Sequence, residues 1–255
     1  MQILLACAKN MTTRPGLSPS ILTKPKFLEE AERHALQLAA FTEAELGKAL
    51  KCNPRLAILN KLRYLSFFDS DDSGPAVLSY NGIVYRHLRA WEFTAADYAY
   101  ANNHLWICSF LYGLLRPMDR IKNYRLEGNV KLPNNDNRNM FDFWKPRLTD
   151  VLIDSVKQDD GCLVHLATEE MTRLFDWKRV RREVKVLEPQ FFIREEDKLK
   201  TIVVYAKMCR GAMTRYILQN RLTTKEELTA FSYEEFNYRP EIVHAKAEAL
   251  PFVLE

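Results

Sequence analysis

Arg116, Asp119, Arg125 and Glu127 fall within a dozen residues of one another, directly after the apolar run SFLYGLL. A buried strand gains nothing from charges at its end unless they bind each other or a ligand. The segment IKNYRLE alternates, which puts Ile121, Asn123, Arg125 and Glu127 on one side and sets Arg125 and Glu127 about 7 Å apart by the rise of a strand. That spacing lets them share a ligand or pair with each other. Pro117 disfavours helix at Arg116 and holds it extended, and a fixed guanidinium suits planar recognition of phosphate or carboxylate.

Other charges sit in comparable places. Lys9 ends the apolar run QILLACA, and Glu169 and Glu170 follow CLVHLA, with Thr168 placed to cap a helix whose dipole the carboxylates would complement. Lys207 and Arg210 follow TIVVYA, which reads as a strand leading into a helix. Cations at a helix start oppose the dipole at a cost of some tenths of a kcal/mol. Such an end, with Gly211 beside it, makes an anion site, and the plain structural alternative is a salt bridge to Glu170 or Asp119. Lys9, Arg116, Arg125, Lys207 and Arg210 are therefore the candidates for holding an anion; Glu170, Lys207, Asp119 and Glu127 are the candidates for moving a proton.

These residues need a frame to bring them together. Four apolar runs, QILLACA, WICSF, CLVHLA and TIVVYA, end in polar chemistry and are separated by helical patterns. Strands so separated tend to be parallel, and their carboxyl ends line a ligand crevice. Helices are expected over FLEEAERHALQLAA, from Thr42 with Glu45 as a capping box, from Asn53 with Pro54 at the first helical position, from Thr94 with Asp97, over FDFWKPRLTDVLIDSV, over GAMTRYILQNRL, and at Thr223 with Glu226 and Ser232 with Glu235. AVLSYNGIVYRHL reads as a strand, a turn and a further strand or helix start, and a hairpin is expected around Glu195 to Lys198. The sum is a mixed α/β (α+β) fold: one domain over residues 1–255, with a central mixed sheet that is parallel in part and flanked by helices.

Length and a 47% hydrophobic content suffice for a substantial core, and a net charge of +4 permits an anionic partner without requiring one. The five cysteines are scattered among apolar neighbours, which reads as reduced thiols in a cytoplasmic protein. No run approaches the roughly 20 apolar residues of a membrane span, so no membrane partner is expected. His104 and Cys108 lie four apart, but a helix-end histidine and a core cysteine explain them; neither metal nor cofactor is expected. RLFDWKRVRREVK carries six basic residues against two acidic ones and reads as a solvated face.

LYGLLRPMD followed by YRLE, the pair Phe143 and Trp144, LATEE, and YAK with RGAMTRY resemble the peroxide stress protein YaaA family, in order over most of the chain. Lys9, Arg116, Asp119, Arg125, Glu127, Glu170, Lys207 and Arg210 all match its pattern. Ala6-Cys7, Phe110 and Met171 depart from it, standing where the family has Ser-Pro, Gly and Tyr. The resemblance implies a cytosolic protein of hydrogen peroxide defence that restrains free iron, binds DNA and contains a helix-hairpin-helix element.

We place that element on Thr42 to Tyr64, whose basic rim is Lys48, Lys51, Arg55, Lys61 and Arg63. The turn reads KCNPR without the glycine of the standard motif, so Asn53 and the amides after it are expected to take its place beside a phosphate. Two functions compete. One is binding of double-stranded or branched DNA with little base reading; the other is an enzyme acting on a nucleotide, nucleobase or other small anion. Direct iron handling is the weakest, since the His and Cys residues form no site on spacing.

Overall fold

The computed structural model describes residues 1–12, 22–69, 72–196, 198–242 and 248–255. In chain order the first half comprises β1 (Gln2–Ala6), α1 (Leu28–Ala40), α2 (Glu43–Ala49), α3 (Pro54–Leu65), β2 (Ser73–Pro75), α4 (Ala76–Ser79), α5 (Ile83–Leu88), α6 (Ala95–His104), β3 (Leu105–Ser109), β4 (Gly113–Leu115) and β5 (Arg120–Lys122). The second half comprises α7 (Met140–Gln158), β6 (Cys162–His165), α8 (Glu169–Thr172), α9 (Trp177–Glu183), β7 (Lys185–Glu195), β8 (Lys198–Lys200), α10 (Val203–Asn220), α11 (Lys225–Thr229), β9 (Ser232–Tyr233), β10 (Phe236–Tyr238) and β11 (Ala249–Leu254).

The continuous apolar runs became the middle of the sheet. The main sheet runs in the order β4-β3-β1-β6-β7-β11-β10-β9, with β8 paired to β7. From β3 to β11 every neighbouring pair is parallel, while β4, β8, β9 and β10 are antiparallel additions. Ile3, Leu4 and Leu5 of β1 are wholly buried, as a strand covered on both faces requires, and each contributes roughly 1.5–3 kcal/mol of burial. The chain leaves β1 for β3 on one side and later returns to β6 on the other. The strand order therefore switches direction at β1, and the crevice beyond its carboxyl end is where such a sheet takes a ligand.

Local signals held where caps fix a helix end. Thr42 and Glu45 form a reciprocal capping box on α2, Asn53 accepts from the Leu56 amide with Pro54 opening α3, and Thr94 and Asp97 cap α6. Elsewhere packing overrode local preference. TIVVYA is no strand: Val203 opens α10, because Ala206, Cys209, Met213 and Ile217 recur with helical spacing and bury that face. Ser232 starts no helix; β9 and β10 form a hairpin turned by Glu234 and Glu235 at φ 46° and 64°. AVLS folds as α4 in place of the expected strand, whereas the helix start allowed after Asn81-Gly82 is α5, and the cap predicted at Thr223 lies one residue later, at Thr224 with Glu227. IKNYRLE is a strand only over β5, and the alternation continues in extended chain outside the sheet.

No described helix is long and apolar enough to cross a membrane.

Candidate functional site: a cleft at the carboxyl ends of the central strands

Residues just past β1, β3 and β6 build one cleft of about 430 Å³. Cys7, Ala8 and Lys9 leave β1, Phe110 leaves β3, and Thr168, Glu170 and Met171 follow β6. The segment from Tyr124 to Glu127 straps one side, α5 supplies Ile83 to Arg86, and α10 contributes Lys207. That last helix reaches the site because Gly211 lets it lie against α5: a Cβ there would stand 2.0 Å from the Val84 carbonyl oxygen.

The charges in the cleft are partly matched. Glu127 receives the Lys9 ammonium at 2.9 Å and the Arg125 guanidinium at 3.3 Å, both on Oε1. Neither contact is aligned as a hydrogen bond, so the buried Oε1 is held by charge alone. The Nε–H of Arg125 is likewise buried without an acceptor. Glu170 is exposed at the rim and makes no ion pair among the described residues. Thr168 occupies the N-cap of α8 in extended conformation, but its hydroxyl makes no capping bond and remains free to meet a ligand.

Arg210 lies one turn beyond Lys207 on α10, largely withdrawn from solvent, with its Nε–H unpartnered; burial lowers its pKa. Beneath the cleft, Ser109, Tyr124 and Tyr80 form a buried chain of hydroxyls at 2.6 and 2.8 Å. Burial pushes the Cys7 thiol up to about 12 and the Glu127 charge adds to the shift, so Cys7 is a wall and not a nucleophile.

Three of the expected site residues do not line the cleft: Arg210, withdrawn behind Lys207, and two that lie at the other end of the fold. Arg116 sits at the amino-terminal end of the strands, bonding the Gln2 side-chain oxygen at 3.2 Å, the Leu105 carbonyl at 3.3 Å and the Ser155 hydroxyl at 3.1 Å, and stacking 3.4 Å over Trp106. Asp119 caps the turn beside it, accepting from the Arg116 amide at 2.8 Å and the Thr23 hydroxyl at 2.8 Å. Both are structural. Burial lowers the Arg116 pKa and raises that of Asp119, and each is opposed by the charge of the other.

The helical hairpin of α2 and α3 lies next to the cleft. A second concavity of about 590 Å³ is lined by Glu45, Lys48, Lys51 and Lys131, and it shares Lys9, Glu127 and Glu170 with the first. The two hollows therefore adjoin at that trio. Tyr64, at the end of α3, donates its phenol to the Arg125 carbonyl and so ties the hairpin to the strap. The turn that lacks glycine forms with Lys51 itself in the left-handed region, at φ 46°. Lys61 is committed to the Ala39 and Phe41 carbonyls at the end of α1, Arg63 meets the Asn60 side chain at 3.3 Å, and Asn53 is spent as a cap. Arg55 is exposed and lines neither hollow.

The cleft thus unites Lys9, Arg125, Glu127, Glu170 and Lys207. Lys131, Arg86 and the link through Tyr64 had no signal in the sequence, because each is an isolated residue whose role depends on a neighbour far along the chain. His104 pairs with Asp159 at 3.0 Å, and Cys108 is buried in β3. Among the described residues no three His, Cys, Asp or Glu side chains come together as a metal ion would need.

The sequence model of the peroxide stress protein YaaA family matches residues 1–242. A UPF0246 protein of Phocaeicola vulgatus is 46% identical over 239 residues, 93% of this chain and 94% of its own. One from Bacteroides fragilis is 46% identical over 243 residues, 95% of each chain, and one from Porphyromonas gingivalis 45% identical over 246 residues, 95% of this chain and 96% of its own. A match spanning both the strand ends that form the cleft and the helical hairpin beside it leaves one conclusion: this chain belongs to the peroxide stress protein YaaA family.

Proposed function

We propose that the protein acts in the hydrogen peroxide stress response by binding DNA in the cytoplasm, with phosphates running along the hairpin side and into the mouth of the cleft. The observation that carries this reading is that the two hollows adjoin, sharing Lys9, Glu127 and Glu170, which sets Lys48, Lys51 and Lys131 on the hollow beside the one that Lys9 and Lys207 line. Lysines on such a surface neutralise phosphates without reading bases, so duplex or branched DNA is bound with little sequence preference. The free thiols fit a reducing compartment.

Titration of a labelled duplex tests it. With about five phosphates neutralised, affinity falls by at least a hundredfold between roughly 50 and 200 mM salt. An affinity flat across that range contradicts the reading.

A second reading has its own support. Glu170 carries no internal counter-charge although it shares the cleft with Lys207, an arrangement suited to proton transfer on a small anionic substrate. Glu170→Gln and Lys207→Ala separate the two. If both variants bind DNA as the unmodified protein does yet fail to protect peroxide-treated cells, the cleft performs chemistry; if Lys207→Ala weakens binding and protection together, it is a phosphate clamp.

A further inference from the structure

We infer that the outer face of α3 is a self-association surface, along which two copies of this chain pair antiparallel about a two-fold axis at Leu62. The inference goes beyond the DNA-binding reading and stands without it, since none of the residues it uses lines either hollow.

α3 turns one side, with Ala57, Asn60 and Tyr64, into the protein. The other side carries Ile58, Leu59, Leu62 and Leu65, which recur at the spacing of one helix face, and Phe68 follows three residues on. These five are exposed to 42, 41, 57, 54 and 48% in turn. Single exposed leucines are ordinary. A file of five leaves on the order of 500 Å² of apolar surface together, as large as the patches that mark interaction sites.

The ends of the stripe say what covers it. Arg55 opens it and Asp69 closes it, seven residues before and seven after Leu62. The chain keeps turning beyond α3 as far as Asp69: the Ser66 amide donates to the Leu62 carbonyl at 3.0 Å, and the Asp69 amide to the Ser66 carbonyl at 3.3 Å. Arg55 and Asp69 are both exposed, and neither makes an ion pair among the described residues. The cations between them are committed within the chain, Lys61 to the Ala39 and Phe41 carbonyls and Arg63 to the Asn60 side chain. The stripe therefore ends on one unpaired charge of each sign.

A second copy laid antiparallel presents the same face in reverse order. Leu62 meets Leu62, Leu59 meets Leu65, Ile58 meets the small Ser66, and Arg55 of each copy meets Asp69 of the other. Both ion pairs form at once, and the two helix dipoles oppose. A parallel arrangement sets like charges together at both ends. Two such patches bury about 1,000 Å², the lower bound of a specific interface, so the dimer is weak, with a dissociation constant on the order of tens of micromolar.

Sedimentation equilibrium of the full chain, free of nucleic acid and taken over about 1–200 µM, tests it. The unmodified protein is expected to pass from monomer to dimer across that range. Leu62→Glu sets two carboxylates face to face on the axis; it is expected to stay monomeric while keeping the urea midpoint, because the position is exposed. Arg55→Glu and Asp69→Arg each place like charges together at both ends, and each is expected to raise the dissociation constant at least tenfold. An equimolar mixture of those two restores opposite charges at both ends and is expected to dimerise as the unmodified protein does. A monomer throughout the range overturns the inference, and so does a dimer that persists in Leu62→Glu. Charge variants that dimerise normally when alone, or a mixture that stays monomeric, overturn the antiparallel pairing and the inference with it.

Discussion

His34 sits in α1 between the rings of Phe143 and Trp144, centroids 4.6 and 5.6 Å away, with Nε2 facing the Asn135 amide at 2.9 Å. Burial lowers its pKa to about 4. The unfolded chain takes up the proton near 6.5 and the folded one does not until about 4, so the unfolded state binds more protons in that window and stability falls as pH falls through it. Between pH 7 and pH 5 the expected loss is about 2 kcal/mol. Urea unfolding at the two pH values should show it in the unmodified protein and not in His34→Gln; equal losses in both would place the effect elsewhere. Sequence reading at this scale succeeded for Arg125 and Glu127, whose alternate spacing is a local property that survives even outside a sheet. It failed for Arg116. Pro117 says that the guanidinium is held, but Gln2, Leu105 and Ser155, which hold it, are remote in sequence and lie at the far end of the strands.

At the scale of elements, the crossing of α10 over α5 brings Lys207 to the cleft, and it depends on Gly211. The atom an added methyl would meet is a backbone carbonyl, which cannot rotate away as a side chain can. Gly211→Ala is therefore expected to lower stability by about 1–3 kcal/mol despite the better helix propensity of alanine, measured as a drop in urea midpoint. A gain in stability would mean that the helices do not approach so closely. The caps of α2, α3 and α6 were legible because one side chain and one amide three residues apart decide them. The start of α10 was not: Ile202 to Val204 have strand-forming side chains, and only burial of Ala206, Cys209 and Met213 against the rest of the fold overrules them.

For the whole molecule, the parallel centre of the sheet followed from continuous apolar runs alternating with helical ones, and with it the expectation that Lys9, Glu170 and the strap would meet at the strands' carboxyl ends. The order of the strands was beyond reach, since β1 joins β3 and β6 through register that no local pattern encodes. The nearness of the helical hairpin to the cleft was equally hidden. Tyr64 and Arg125 are separated by 61 residues, and nothing near either announces the bond between them. On that nearness rests the proposal that hairpin and cleft act as one binding surface. The most direct measurement is the slope of log affinity against log salt for a duplex, taken with the unmodified protein, with Lys48→Ala combined with Lys51→Ala, with Lys207→Ala, and with all three together. One continuous surface flattens the slope by about 2, about 1 and about 3 in turn. A hairpin variant with the unmodified slope, beside a Lys207 variant that loses it, would contradict the claim.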